Sequence, residues 1–196
     1  MTRKYNKQQP ASSEVNNPGQ GHASSNGGDC AQQASQPFDS RALRDALGQF
    51  TTGVAVVTVL PGEGAPLGVT VNSFASVSLD PPLILWSLQK DSETVQAFEC
   101  SDNFVVNVLA SHAQTLSDRY AERDNHELDK DHFICSDSGL PLLKHAKVQF
   151  ECSTLQRIDA GDHKIYLARV LAVSAIDASE PLVFYDGAYH RLDLPQ

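Results

Sequence analysis

The sequence predicts a mainly β domain, an antiparallel barrel or sandwich with a few short flanking helices. Three observations carry this. Short β-branched and aromatic runs recur at close spacing from Gly53 onward. Helical periodicity is confined to three brief segments. Turn formers, not long helical connections, separate the runs, which disfavours a doubly wound parallel sheet.

Taken in order, residues 1–36 form a polar tail. Its only sizeable apolar residues are Met1, Tyr5 and Val15, and the rest is largely Gln, Asn, Ser, Gly and Ala. Such a segment buries too little to offset a backbone ordering cost of roughly 1–2 kcal/mol per residue, so disorder is expected there. The folded domain is expected over residues 37–196. Asp39 or Ser40 caps a helix that places Leu43, Ala46, Leu47 and Phe50 on one face. Strands follow at Gly53–Leu60, Leu67–Asn72, Leu83–Leu88 (entered from Pro81-Pro82) and Phe104–Leu109. Two longer strands, Lys147–Ile158 and Ile165–Ile176, are joined across Asp159–Lys164, and Leu182–Tyr185 is a short last one. The other helices are Ser92–Cys100, behind a capping Ser, and Ala113–Ala121. Between Glu122 and Leu140 a charged, irregular stretch reads as a lid, a binding loop or a mobile connection.

Charge and motifs then exclude function classes. With 24 acidic and 15 basic side chains in 196 residues the formal net charge is −9. That balance argues against nucleic acid and against an anionic membrane surface as partners. Residues 1–20 hold no apolar run of signal-peptide type, and no stretch of about 18 apolar residues occurs anywhere. The four cysteines (Cys30, Cys100, Cys135, Cys152) lack a CxxC pair, so reduced thiols and a cytoplasmic location are expected. No GxGxxG, GxxxxGK[ST], HExxH or GxSxG motif is present, and His132 with Cys135 makes no metal site by spacing alone.

Three segments carry chemical information. Gly68–Pro82 (G-V-T-V-N-S-F-A-S-V-S-L-D-P-P) offers backbone N–H groups with Asn72, Ser73, Ser76 and Ser78, donors for a heteroaromatic edge or an oxyanion, and Phe74 as an apolar wall. An ordinary strand whose hydroxyls face solvent explains it equally well. Ser87–Thr94 (S-L-Q-K-D-S-E-T) leaves a strand and opens a helix, where unpaired N–H groups and Lys90 suit an anion, although Ser92 as a cap needs no ligand and Asp91 and Glu93 dilute the field. Gly161-Asp162-His163 reads first as hairpin chemistry, with His163 at a strand entrance.

These segments, in this order, resemble the flavin reductase-like family, whose fold is the FMN-binding split β-barrel of Greek-key type. The resemblance begins with F-D-S-R-A-L-R-D-A-L-G-Q-F-T-T-G-V-A-V-V-T and continues through G-V-T-V-N-S-F-A-S-V-S-L-D-P-P-L and F-V-V-N-V-L. It ends with G-L-P-L-L, F-E-C, G-D-H-K-I-Y and P-L-V-F-Y-D-G-A-Y-H-R-L. The subgroup it is most similar to is the reductase component of two-component flavin-dependent monooxygenases. The resemblance implies a homodimer that uses NADH or NADPH to reduce free FMN or FAD and passes the reduced flavin to a separate oxygenase. A flavoprotein that retains FMN, or a flavin- or haem-binding module without enzymatic activity, is the alternative on the same barrel.

Residue by residue, the resemblance assigns Val69, Thr70, Val71, Asn72, Ser73, Phe74, Ala75 and Ser76 to the isoalloxazine and ribityl chain. It assigns Ser87, Lys90, Ser92 and Thr94 to the flavin phosphate, and Gly161, Asp162 and His163 to the nicotinamide nucleotide. Many members carry Arg-Phe where this chain has His132-Phe133, so Phe133 remains as an aromatic wall without the cation. Trp86 stands where a small or aliphatic residue is expected, which predicts altered room around the phosphate or adenine. No nucleophile, general base or metal is called for, because hydride transfer is the cofactors' own chemistry and the protein's part is alignment.

Overall fold

The computed structural model describes residues 39–175 and 178–192; the tail expected over residues 1–36 lies outside the described residues. Helix α1 (Ser40–Gly48) starts where Asp39, in extended conformation, accepts the Arg41 N–H on its carboxylate, as the sequence predicts. The strands that follow are β1 (Thr52–Gly53), β2 (Ala55–Val59), β3 (Leu67–Val71), β4 (Ala75–Leu79) and β5 (Pro82–Gln89). Helix α2 (Val95–Cys100), β6 (Asn103–Leu109) and helix α3 (Gln114–Ala121) come next. The remainder is β7 (Phe133–Cys135), β8 (Pro141–Leu143), β9 (Ala146–Ala160), β10 (His163–Ala175), β11 (Val183–Tyr185) and β12 (Ala188–His190).

Seven strands form one antiparallel sheet in the order β3-β2-β6-β9-β10-β5-β4. The sheet curls until β3 meets β5, and the Ser73 hydroxyl joins the two sides: it donates to the Ser87 carbonyl and accepts the Ser87 N–H, both at 3.0 Å. The bend is helped by register shifts in the long β9–β10 pair, at Leu167/Ala168 and Val170/Ala172, since bulges sharpen local twist. This is the split barrel expected from the sequence, a mainly β fold with three short helices among the described residues.

Strand β2 is buried on both faces, which explains its unbroken apolar run. Val57 and Val59 face the barrel interior, while Val56 joins a second cluster with Leu116, Tyr120, Leu128 and Leu143 under α3. The predicted strand Gly53–Leu60 is interrupted at Val54. Its N–H goes to Leu182 O and its carbonyl accepts from Leu109 N, so β1 is free to pair with β11 instead. Between the clusters, buried Asn107 donates to Val56 O and Thr58 Oγ1 and accepts from Leu143 N and Gln149 Nε2, leaving its amide fully satisfied.

Three expectations are corrected here. Trp86 does not adjust the room in any cleft. It is fully buried in the barrel, stacked on Tyr166 at 4.6 Å between centroids and edge-on to Phe98 and Phe104. Strand β4 was not anticipated: Ala75, Val77 and Leu79 alternate with serines, but the run is a short, mostly exposed edge whose hydroxyls also suit a ligand-contacting turn. The stretch after Glu122 is not an irregular connection throughout. Gly68 N donates to His126 O and Leu128 N to Pro66 O, so residues 126–128 run along the free edge of β3, and β7 and β8 form a hairpin beyond. Gly68 permits this approach, since a Cβ there would stand 2.8 Å from Leu128 Cδ2.

Candidate functional site

A cavity of about 300 Å³ opens where β3 faces the end of β5. Val69, Thr70 and Val71 of β3, continuing into Asn72 and Ser73, form one wall. Ser87, Leu88 and Gln89 form the other, followed by the turn Asp91–Glu93. Tyr120 and Ala121 at the end of α3, then Arg123 and His126, close one side, and His163 stands at the start of β10. A second, more apolar hollow of about 230 Å³ adjoins it, sharing Thr70, Val71, Asn72 and Ala121 and adding Val54, Phe184 and Tyr189.

Of the residues singled out by sequence, Val69, Thr70, Val71, Asn72, Ser73, Ser87, Ser92 and His163 therefore meet around one cavity. Gly161 and Asp162 form the adjacent β9–β10 turn, where Gly161 takes φ +62° and Lys90 N donates to Asp162 O at 2.9 Å, tying the turn to the end of β5. The others lie elsewhere. Phe74 packs on Phe150 at 5.7 Å, and Ala75 and Ser76 pair with Leu85 and Ile84 in β4. Lys90 Nζ faces Asp159 at 3.6 Å, outside the cavity lining. Thr94 is buried, its hydroxyl 2.9 Å from that of Ser92. Phe133 packs on the second hydrophobic cluster, and Nδ1 of neighbouring His132 hydrogen-bonds the Tyr120 hydroxyl at 2.7 Å.

Most of the hydroxyls expected to meet a ligand already serve the fold. Thr70 donates to Ser117 O, Ser73 spans the seam to Ser87, and Ser92 accepts the Thr94 N–H. The helix expected over Ser92–Cys100 begins only at Val95, so Ser92 belongs to the turn before it. Among the described residues the Asn72 side chain makes no internal hydrogen bond, which leaves its amide available at the junction of the two hollows.

Electrostatically the rim is mixed. Glu93 accepts the Asp124 N–H at 2.9 Å and faces His126 Nε2 at 3.9 Å, while His126 Nδ1 donates to Gly68 O. Arg123 faces Asp91 at 3.8 Å. The His163 ring hydrogen-bonds Asp162 at 2.8 Å, and that bond, aided by the imidazole charge, holds the Asp162 carboxyl below its ordinary value. Burial pushes the Tyr120 hydroxyl up. Among the described residues no group of three His, Cys, Asp or Glu side chains could hold a metal ion.

Sequence reasoning missed Arg123, His126 and Tyr120, all hidden in or beside the charged stretch. The available signal was the amphipathic α3: its last turn delivers Tyr120 and Ala121 to the cavity, so the charged residues just beyond must reach its edge.

The sequence and the fold recur in known proteins. Residues 47–193 match the model of the flavin reductase like domain. The chain is 44% identical over 153 residues to FMN reductase (NADH) SmoA of Agrobacterium fabrum, covering 78% of this chain and 86% of that protein. It is 38% identical over 160 residues to HsaB of Rhodococcus jostii, the reductase subunit of a flavin-dependent monooxygenase, covering 82% of each. The solved structure of the NADH:FAD oxidoreductase SgcE6 of Streptomyces globisporus superposes with a TM-score of 0.75 at 32% identity, over 83% of this chain and 99% of that one. The chain therefore belongs to the flavin reductase family.

Proposed function

We propose that the protein is an NAD(P)H-dependent flavin reductase that reduces free FMN or FAD and supplies the product to a separate oxygenase component. The observation that carries this reading is the convergence of β3, the Asn72–Ser73 segment and His163 on one cavity that adjoins an aromatic-lined hollow. A planar ring with one polar edge and an anionic tail needs that combination of free amide, aromatic wall and local cation. When both are bound, the nicotinamide supplies a hydride and the flavin accepts it.

The chain's own work is positional. Asn72 would orient the polar ring edge, and the Ser73–Ser87 bridge fixes the strand that carries it. His163, held by Asp162 at the hairpin tip, would orient the nicotinamide nucleotide. No side chain is required as nucleophile or general base. NADH is favoured over NADPH by the names of the relatives, FMN reductase (NADH) among them. Exposed apolar side chains at the end of α1 (Leu47, and Phe50 just beyond it) and on β10 (Leu171, Val173) support a homodimer that covers them; sedimentation of the flavin-loaded protein as a monomer would count against it. No described helix is long and apolar enough to cross a membrane, and a cytoplasmic site of action suits a nucleotide-fed reductase.

The deciding experiment is anaerobic oxidation of NADH and NADPH with FMN and FAD in a two-by-two design, run on wild type and His163→Ala. Turnover of added flavin is expected, with the variant's KM for nucleotide raised more than its KM for flavin. Protein that stays yellow through gel filtration yet cannot turn over added flavin points to a resident-FMN enzyme. Absence of nucleotide oxidation with excess flavin points to a binding module.

A further inference from the structure

The rim of the cavity is acidic by composition, with Asp91 and Glu93 beside only one permanent cation among the described lining residues, Arg123. Lys90, which the sequence offered as the phosphate contact, is turned to Asp159 and does not line the cavity. Glu93 already accepts the Asp124 N–H, which ties the segment after α3 to the turn before α2. Asp91 is different. It holds Arg123 at 3.8 Å with both side chains largely in water, 73% and 83% exposed, so their pairing is weak and readily exchanged.

We propose that Arg123 is the cation that receives the flavin phosphate, exchanging its Asp91 partner for the incoming dianion, and that it thereby makes the site select phosphorylated flavins over riboflavin. The inference rests on the flavin reading above and adds to it the residue that senses the ligand's charge. A guanidinium presents paired N–H donors that match phosphate oxygens, and a dianion outcompetes one solvated carboxylate for them. Glu93 keeps the segment in place while Arg123 changes partner, because the hydrogen bond it accepts comes from Asp124 N and not from Arg123. Asp91 acts as the competitor: it neutralises Arg123 when the site is empty and opposes the phosphate when the site fills. Since both groups are exposed, the contribution is screened by salt.

The test pairs a change in the protein with a change in the ligand. FMN and riboflavin differ by the phosphate alone, and their binding to wild type, Arg123→Gln, Asp91→Asn and Lys90→Gln is followed by quenching of flavin fluorescence. Arg123→Gln is expected to weaken FMN by about tenfold or more and riboflavin by less than about twofold, the size of one charged contact. Asp91→Asn is expected to tighten FMN at low salt and leave riboflavin unchanged, and the wild-type preference for FMN is expected to shrink as salt rises. Equal weakening of both flavins by Arg123→Gln would assign Arg123 to holding its loop and overturn the proposal. So would an unchanged FMN affinity, or a phosphate-dependent loss in Lys90→Gln and not in Arg123→Gln. Wild type that binds both flavins equally overturns the charge-sensing role while the flavin reading stands, whereas wild type that binds neither overturns the reading itself.

Discussion

Trp86 and Ser87 are neighbours on β5, yet they face opposite worlds. Trp86 points into the barrel, wholly buried against Tyr166, Phe98 and Phe104. Ser87 points to the seam, where its N–H and carbonyl engage the Ser73 hydroxyl and its side lines the cavity. A strand's two-residue period makes this division unavoidable, and it separates stability from function along one element. The inner face is held by ring packing. The outer face is held by a few directional hydrogen bonds whose loss moves ligand affinity before it moves the fold.

The largest effect should come from the inner face. Trp86→Ala removes an indole from a close-packed aromatic cluster and should cost about 3–5 kcal/mol, lowering Tm by on the order of 10 °C in a thermal melt. Trp86→Phe sharpens the point. The indole Nε1–H is buried without a hydrogen-bond partner among the described residues, so Phe gives up volume but also an unmet donor. Its cost should stay within about 2 kcal/mol. Neither variant should change nucleotide KM in the fraction that remains folded. A changed KM in Trp86→Phe would break the separation of the two faces and restore a site role for this residue.

An intermediate effect belongs to the seam. Ser73→Ala deletes both bonds to Ser87 at a half-buried position and should cost about 1–2 kcal/mol. It should also raise the KM for flavin several-fold, since Asn72 loses the anchor beside it. Lost stability with unchanged flavin kinetics would make the bridge purely structural.

The same division explains what the sequence could and could not reveal. Strands β2, β5, β6, β9 and β10 were legible because burial on one or both faces demands β-branched or aromatic side chains at fixed period. The cavity wall Val69–Ser73 was legible through its place in a motif order, and the hairpin tip through Gly161. Strand β4 was not, because its alternating Ala75, Val77 and Leu79 stay exposed at the edge and its serines suit a ligand-contacting turn equally well. Lys90 was misplaced because its partner Asp159 arrives from β9, and Arg123 was overlooked because charged residues after a helix look alike until their neighbours are known. Short-range period reveals strands, while a charge's role depends on pairing across the sheet, which no local pattern encodes.

The smallest effect, and the most specific, concerns Asp162. Its carboxyl lies below its ordinary value because His163 hydrogen-bonds it and then because the imidazole charge favours the anion. A group whose folded value is depressed gives a contribution that is present above the unfolded value and fades as pH falls through the folded one. The pair sits exposed at a hairpin tip, so the linkage should be invisible in global stability and visible in the orientation of His163. The KM for nucleotide should therefore stay flat as pH falls through the usual carboxylate range and rise only beneath it, and Asp162→Asn should abolish that acid limb. Carboxyl chemical shifts give a direct reading: the Asp162 midpoint should climb back to the ordinary value in His163→Ala. An unmoved midpoint would mean that the imidazole does not hold the carboxylate, and the orienting role assigned to the pair at the cavity's edge would lose its physical basis.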